Sequence, residues 1–222
     1  MTKFQAPTIG HVALHYNELQ DGPPAARLLK ILGFHQNEPL NLDGMMYYHL
    51  IADKDSPRYD GSIYLFRLPK IMRDLHARMR EALDVGGPNE DPLVAKFHAV
   101  EADDPEVCFH LGLMYQSLDE LEQQVAAILD DPELRNRVEI TANKAAPGAD
   151  QAVDERMNQS PVFSKTDRIT YGYHGGQIFI STDLLSGGPL GERFTIELDY
   201  VFPGHPKNLF NEVVFTREVE IA

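Results

Sequence analysis

Three side chains far apart in the chain, His11, His110 and Glu197, offer two imidazole nitrogens and one carboxylate. That is the donor set of a facial triad, which leaves coordination positions for water, a bidentate oxygen substrate and O2. Such a set suits Fe(II) and accepts Mn(II) or Zn(II). The ion would act as a Lewis acid and template for an enolate, diol or catecholate. Cys108 is the only cysteine, so a thiolate cluster is excluded, and nine histidines leave room for a nitrogen- and oxygen-ligated site.

The elements that must carry these residues follow from periodicity. Ile9–Tyr16 reads as a strand in which Val12 and Leu14 share one face and His11, Ala13 and His15 the other. Val107–Tyr115 reads as a second strand, with Phe109, Leu111 and Leu113 opposite His110. In a third, Arg193–Phe202, the residues Phe194, Ile196, Leu198 and Tyr200 form the apolar face, so Glu197 points the other way with Thr195 and Asp199. If the sheets curl around a shared hollow, the three polar residues can converge there. A longer last strand would make Asp199 the ligand instead.

Between these strands, Pro23 and Pro24 open a helix whose stripe is Ala25, Leu28, Leu29 and Leu32, stopped by Gly33. A further strand is expected just after Gly33, and others at Met45–Ile51 and Ser62–Leu68. Pro69–Leu83 turns helical, with Met72, Leu75, Met79 and Ala82 read as a core stripe. Leu93–Ala102 reads as a strand. Ser117–Glu120 is a capping box opening a helix with Leu118, Leu121, Val125 and Ile128 buried. Thr141–Lys165 is long for an uninterrupted loop, which leaves room for a short helix around Ala149–Met157. Arg168–His174 and Gln177–Thr182 read as strands joined at Gly175-Gly176. His174, beside that turn, is a candidate acid or base or an exposed hairpin residue.

The chain repeats itself. His11–Leu19 aligns with His110–Leu118 at an offset of about 99 residues, bringing together the histidines, Leu14 with Leu113, Tyr16 with Tyr115, and Leu19 with Leu118. Ile63-Tyr64-Leu65 aligns more weakly with Ile196-Glu197-Leu198. The expected fold is therefore α+β, with two β-α-β-β-β modules forming a curled mixed sheet around a metal pocket in one domain spanning 1–222. Residues 1–69 are the first module, 70–104 a connector with a helix, and 105–222 the second module.

These segments resemble the vicinal-oxygen-chelate superfamily, which includes glyoxalases, bleomycin-resistance proteins and type I extradiol dioxygenases. Ile9-Gly-His-Val-Ala-Leu with Leu32-Gly-Phe34 is similar to the opening of such a module. Phe109-His-Leu-Gly-Leu with Ser117-Leu-Asp-Glu resembles the second metal-histidine segment of extradiol enzymes, and Phe194-Thr-Ile-Glu-Leu their carboxylate strand. The resemblance implies that His11, His110 and Glu197 are metal ligands, with Fe(II) the first choice. It also makes His98 a candidate acid–base residue. Glyoxalase I-like lyases carry a fourth, glutamate ligand where the repeat places Tyr64, which argues against that mechanism. Tyr64 can instead donate a hydrogen bond to a bound oxyanion, or simply fill the cavity. Extradiol enzymes carry a tyrosine in the hairpin before the carboxylate strand, and Gln177–Thr182 has none. The implied activity is ring-cleaving dioxygenation, an oxidoreductase reaction. A non-oxidative lyase, isomerase or hydrolase, or a metal-free ligand-binding protein, is the alternative.

Composition narrows the partners. A formal charge of −14 gives no basic face for phosphates, which excludes nucleic acid and disfavours anionic membranes. No apolar run approaches the roughly 20 residues that span a bilayer, and Met1–Pro7 has no apolar signal core. One cysteine points to a reducing, cytoplasmic setting. The partner expected is a small-molecule substrate, with a homodimer left open.

Overall fold

The computed structural model describes residues 9–42, 45–55, 60–170 and 172–205. The reading of Met1–Pro7 lies outside these residues. The chain divides into two compact units: 1–107 with 128–137 and 182–194, and 108–127 with 138–181 and 195–222. The fold is mixed α+β, with five α-helices and nine strands among the described residues.

In the first unit the order is β1 (His11–Tyr16), α1 (Gly22–Ile31), β2 (His35–Gln36), β3 (Leu40–Leu42), β4 (Met45–Ile51), β5 (Ser62–Arg67), α2 (Lys70–Ala82) and α3 (Pro92–Asp103). Strands run β2-β4-β5-β1, with β3 on β4, and β1 and β5 are parallel. The crossover through α1 permits that parallel pair. Ala25, Leu28 and Leu29 on α1 are buried, as are Leu14, Leu50, Ile63 and Leu65 of the sheet. Each fully buried leucine contributes about 1.5–3 kcal/mol through removal of apolar surface from water.

The second unit contains β6 (His110–Tyr115), the first turns of α4 (Leu118–Asp130), β7 (Val138–Asn143) and α5 (Gln151–Gln159). It also holds the opening half of β8 (Gly175–Ser186) and most of β9 (Arg193–Val201). Its strands run β8-β9-β6, with β7 on β8, and β6 and β9 are parallel. Among the described residues the strand path closes on itself in neither unit. Leu118, Leu121 and Val125 are buried with Phe163, Ile178, Phe179, Ile196 and Leu198.

Several elements differ from the expectation. Leu93–Ala102 is helical, within α3: Asp91 caps it by accepting from the Leu93 N–H at 2.8 Å, and Pro92 takes the first turn. That start signal outweighs the β-branched residues behind it. The α2 stripe is not core, because Met72 and Leu75 are 39% and 57% exposed and no residue of α2 is buried. Phe109 precedes β6 and is exposed, while Leu111 and Leu113 on the strand are half-buried. No strand spans 168–174 among the described residues, only a bridge between Ile169 and Lys144, and Tyr171 lies outside them. Gly175 and Gly176 open β8 instead of forming a hairpin turn. A Cβ on Gly176 would sit 2.8 Å from Phe163 Cζ and 3.0 Å from Met157 Cε, so this glycine serves close packing.

Candidate metal centre

The parallel register of each unit repeats the other. In the first, His11 pairs with Ser62 and Ala13 with Tyr64; in the second, His110 pairs with Thr195 and Gly112 with Glu197. Tyr64 and Glu197 therefore occupy matching ladder positions, two residues beyond the partner of the histidine that opens the neighbouring strand.

In the second unit the His110 Nε2 lies 2.9 Å from Glu197 Oε2, while its Nδ1 lies 2.8 Å from the Cys108 carbonyl oxygen. A carbonyl only accepts, so Nδ1 carries the proton of that bond. A neutral imidazole then aims the lone pair of Nε2 at a carboxylate oxygen, a repulsive arrangement unless a proton or a cation lies between them. Metal-binding histidines commonly tether the distal N–H to a carbonyl in this way. The donor set and its tethers thus fit a divalent ion.

Glu197 is itself fixed. Its Oε1 accepts from Gln177 Nε2 at 2.6 Å, and Gln177 Oε1 accepts from the Thr170 hydroxyl at 2.5 Å. Glu197, Gln177 and Thr170 are all buried. One carboxylate oxygen is held by the amide and the other is presented to His110. Phe179, fully buried on β8, packs edge-on to the His110 ring. Gln177 and Thr170 were not singled out from sequence, although the polar residue Gln177 next to the apolar run Ile178-Phe179-Ile180 is the signal that marks one of them.

In the first unit His11 is exposed at the start of β1 and stacks on Tyr64 with ring centroids 4.5 Å apart. His49, on β4, meets Tyr64 edge-on at 5.2 Å, and His15 meets Phe66 edge-on at 4.5 Å. Tyr47 packs against both Tyr64 and Phe66. One face of β1, β4 and β5 thus carries interleaved imidazole and phenyl rings. Burial lowers the pKa of His15 from its ordinary value, favouring the uncharged ring.

The other two candidates belong to other segments of the chain. His98 is in the middle of α3, against Phe97. His174, just before β8, stacks on His205. A cavity of about 440 Å³ in the first unit is lined by none of the predicted site residues. Three of its wall acids already hold ion pairs or charged hydrogen bonds: Glu18 with Arg67, Asp74 with Lys70, and Asp183 with Arg137.

No family model matches the chain, and no curated protein does. Among solved structures, a glyoxalase family protein from Bacillus cereus superposes with a TM-score of 0.42 at 10% identity, covering 91% of this chain and 99% of that one. The protein UcmS2 superposes with a TM-score of 0.33 at 14% identity, covering 87% of this chain and 98% of its own.

Proposed function

We propose that the chain is a metal-dependent enzyme of the vicinal-oxygen-chelate type, built as two modules with a connector, and acting on a small oxygen-rich molecule. Ring-cleaving dioxygenation is the preferred reaction. His11, His110 and Glu197 are the proposed ligands, and Fe(II) the proposed ion. The observation that carries this reading is the His110–Glu197 pair, 2.9 Å apart, with the far nitrogen of the ring tied to the Cys108 carbonyl. His11 enters by its matching place in the repeat.

When bound, the ion would supply Lewis acidity and a template for adjacent substrate oxygens. The protein's own part is positioning. Thr170 orients the Gln177 amide, the amide holds Glu197 Oε1, and Oε2 stays directed at the ring of His110. Tyr64, stacked on His11, provides a hydroxyl donor for an oxyanion, and the rings of Tyr47 and Phe66 offer flat apolar surface beside it. A planar aromatic diol matches that surface. A tyrosine in the position of the fourth carboxylate ligand favours this reading over a glyoxalase I mechanism. The single cysteine supports a cytoplasmic setting.

The test is oxygen uptake by the Fe(II)-loaded chain with catechol and substituted catechols. Uptake with a ring-cleaved product is expected, lost in His110→Ala and Glu197→Gln. Uptake unchanged by His110→Ala would sink the proposal, and turnover without oxygen consumption would assign the non-oxidative alternative.

A further inference from the structure

We propose that the cavity of about 440 Å³ in the first unit binds a small organic anion, held by Arg73 and Arg80 of α2. It shares no residue with the His110–Glu197 centre and does not depend on the enzymatic reading above.

The helix beside this cavity turns its charged face inward. Arg73, His76 and Arg80 fall at i, i+3 and i+7 on one face of α2, and all three are half-buried and line the cavity. On the same helix Ile71 and Leu75 are 75% and 57% exposed. Burial of apolar surface alone would rotate α2 the other way. Arg73 Nη1 donates to the Leu68 carbonyl ahead of the helix, and Arg80 Nη1 to the Pro189 carbonyl, in the connection from β8 to β9, at 3.5 Å. The stem of Arg80 rests beside Gly191, where a Cβ would lie 3.7 Å from Cδ. Seven residues of helix rise about 10.5 Å, so the two cations stem from opposite ends of the face. Each guanidinium has five N–H donors, and among the described residues neither is paired with a carboxylate.

The acids of the wall are engaged elsewhere. Glu18, Asp74 and Asp183 pair with Arg67, Lys70 and Arg137, none of which lines the cavity, and Arg137 also holds Asp21. Glu192 folds back on its own loop, accepting from the Leu190 N–H at 2.8 Å. A cation entering here would meet two guanidiniums and carboxylates that already have donors. An anion would meet planar forks that match the paired oxygens of a carboxylate or a phosphate. The volume falls in the range of small-molecule pockets, about 300–1,000 Å³, which is more room than a bare inorganic ion fills. The chain's net charge of −14 opposes an anion at long range. Binding therefore rests on contact with the two arginines.

The test is calorimetric titration of the full-length chain with glutarate, a dicarboxylate, and with glycerol phosphate, a phosphate monoester. At least one should bind at a single site with Kd below about 1 mM, and the tighter of the two tells carboxylate from phosphate. Arg73→Gln and Arg80→Gln should each weaken that binding about 10-fold or more, as expected for loss of hydrogen bonds to a charged group. No residue of α2 is buried, so these changes leave the core intact. Should either variant fail to fold by circular dichroism, Arg73→Lys and Arg80→Lys carry the comparison, keeping the charge and losing the fork. Arg78→Gln removes the same charge from an exposed position of α2 outside the cavity, and should leave binding unchanged. Binding of neither probe below about 1 mM, or equal losses in Arg78→Gln and the cavity variants, would overturn the proposal and leave the His110–Glu197 reading standing.

Discussion

Glu197 is buried with one oxygen claimed by an amide and the other facing an imidazole nitrogen. The weight of the site therefore falls on Gln177. Replacing it with leucine removes the donor to Oε1 and leaves the Thr170 hydroxyl without its acceptor. Buried polar groups stripped of partners cost about 1–3 kcal/mol each, so Gln177→Leu should lower stability by roughly that amount in urea titration. Metal affinity should fall about 10–100-fold, the usual effect of losing a support behind a ligand. Unchanged affinity would mean that the amide merely fills space. Asp131 makes a second residue-level case. The Leu134 N–H is the main reason its carboxyl sits below the ordinary value of 3.8, with Arg27 Nε at 2.8 Å adding to it. A depressed carboxyl pKa stabilises the fold above the unfolded value and loses that contribution as pH falls through the folded one. Asparagine keeps an acceptor for the Leu134 N–H but drops the charge facing Arg27, so Asp131→Asn should cost no more than about 1 kcal/mol at neutral pH and flatten the stability profile below about pH 4. A variant whose profile keeps its acid slope would contradict this.

At the scale of elements, β8 owes its seating to Gly176, which lets the strand approach Phe163 and Met157 too closely for any side chain. Gly176→Ala should destabilise the protein by about 1–3 kcal/mol through overpacking, measurable as a lowered thermal midpoint; an unshifted midpoint would show that both neighbours yield freely. This glycine also marks where sequence reasoning succeeded and failed. β1, α1 and the parallel partners β5 and β9 were legible because their apolar residues alternate or recur at helical spacing. The repeat brought His11 and His110 into register. Gly175-Gly176 looked like a turn because close packing leaves no trace in a single sequence, and α3 was missed where valines masked the Asp91-Pro92 start. The stripe on α2 has helical period without burial, since an amphipathic pattern does not say what covers it. Glu197 was readable from strand alternation. Its support by Gln177 and Thr170 was not, and neither was the cavity face of Arg73 and Arg80, because both depend on tertiary contacts between distant segments.

For the whole molecule, charge is the dominant property. Thirty-four acidic side chains against 20 basic ones leave −14, and ion pairs such as Arg156 with Asp119 and Glu122 neutralise charge locally without reducing that excess. Self-repulsion of the remainder should be screened by salt. Raising NaCl from about 10 to 150 mM, where the screening length shrinks to roughly 8 Å, is expected to raise the thermal midpoint by a few degrees. A fall would show that the ion pairs outweigh the net charge. No helix among the described residues is long and apolar enough to cross a membrane. The central claim is that His110 and Glu197 hold a divalent ion, and reconstitution measures it most directly. Tag-free protein stripped with chelator, loaded anaerobically with Fe(II) and desalted is assayed for bound iron. The wild-type chain should retain one more ion per chain than either His110→Ala or Glu197→Gln, each shown to be folded by circular dichroism. Equal iron in all three would contradict the claim.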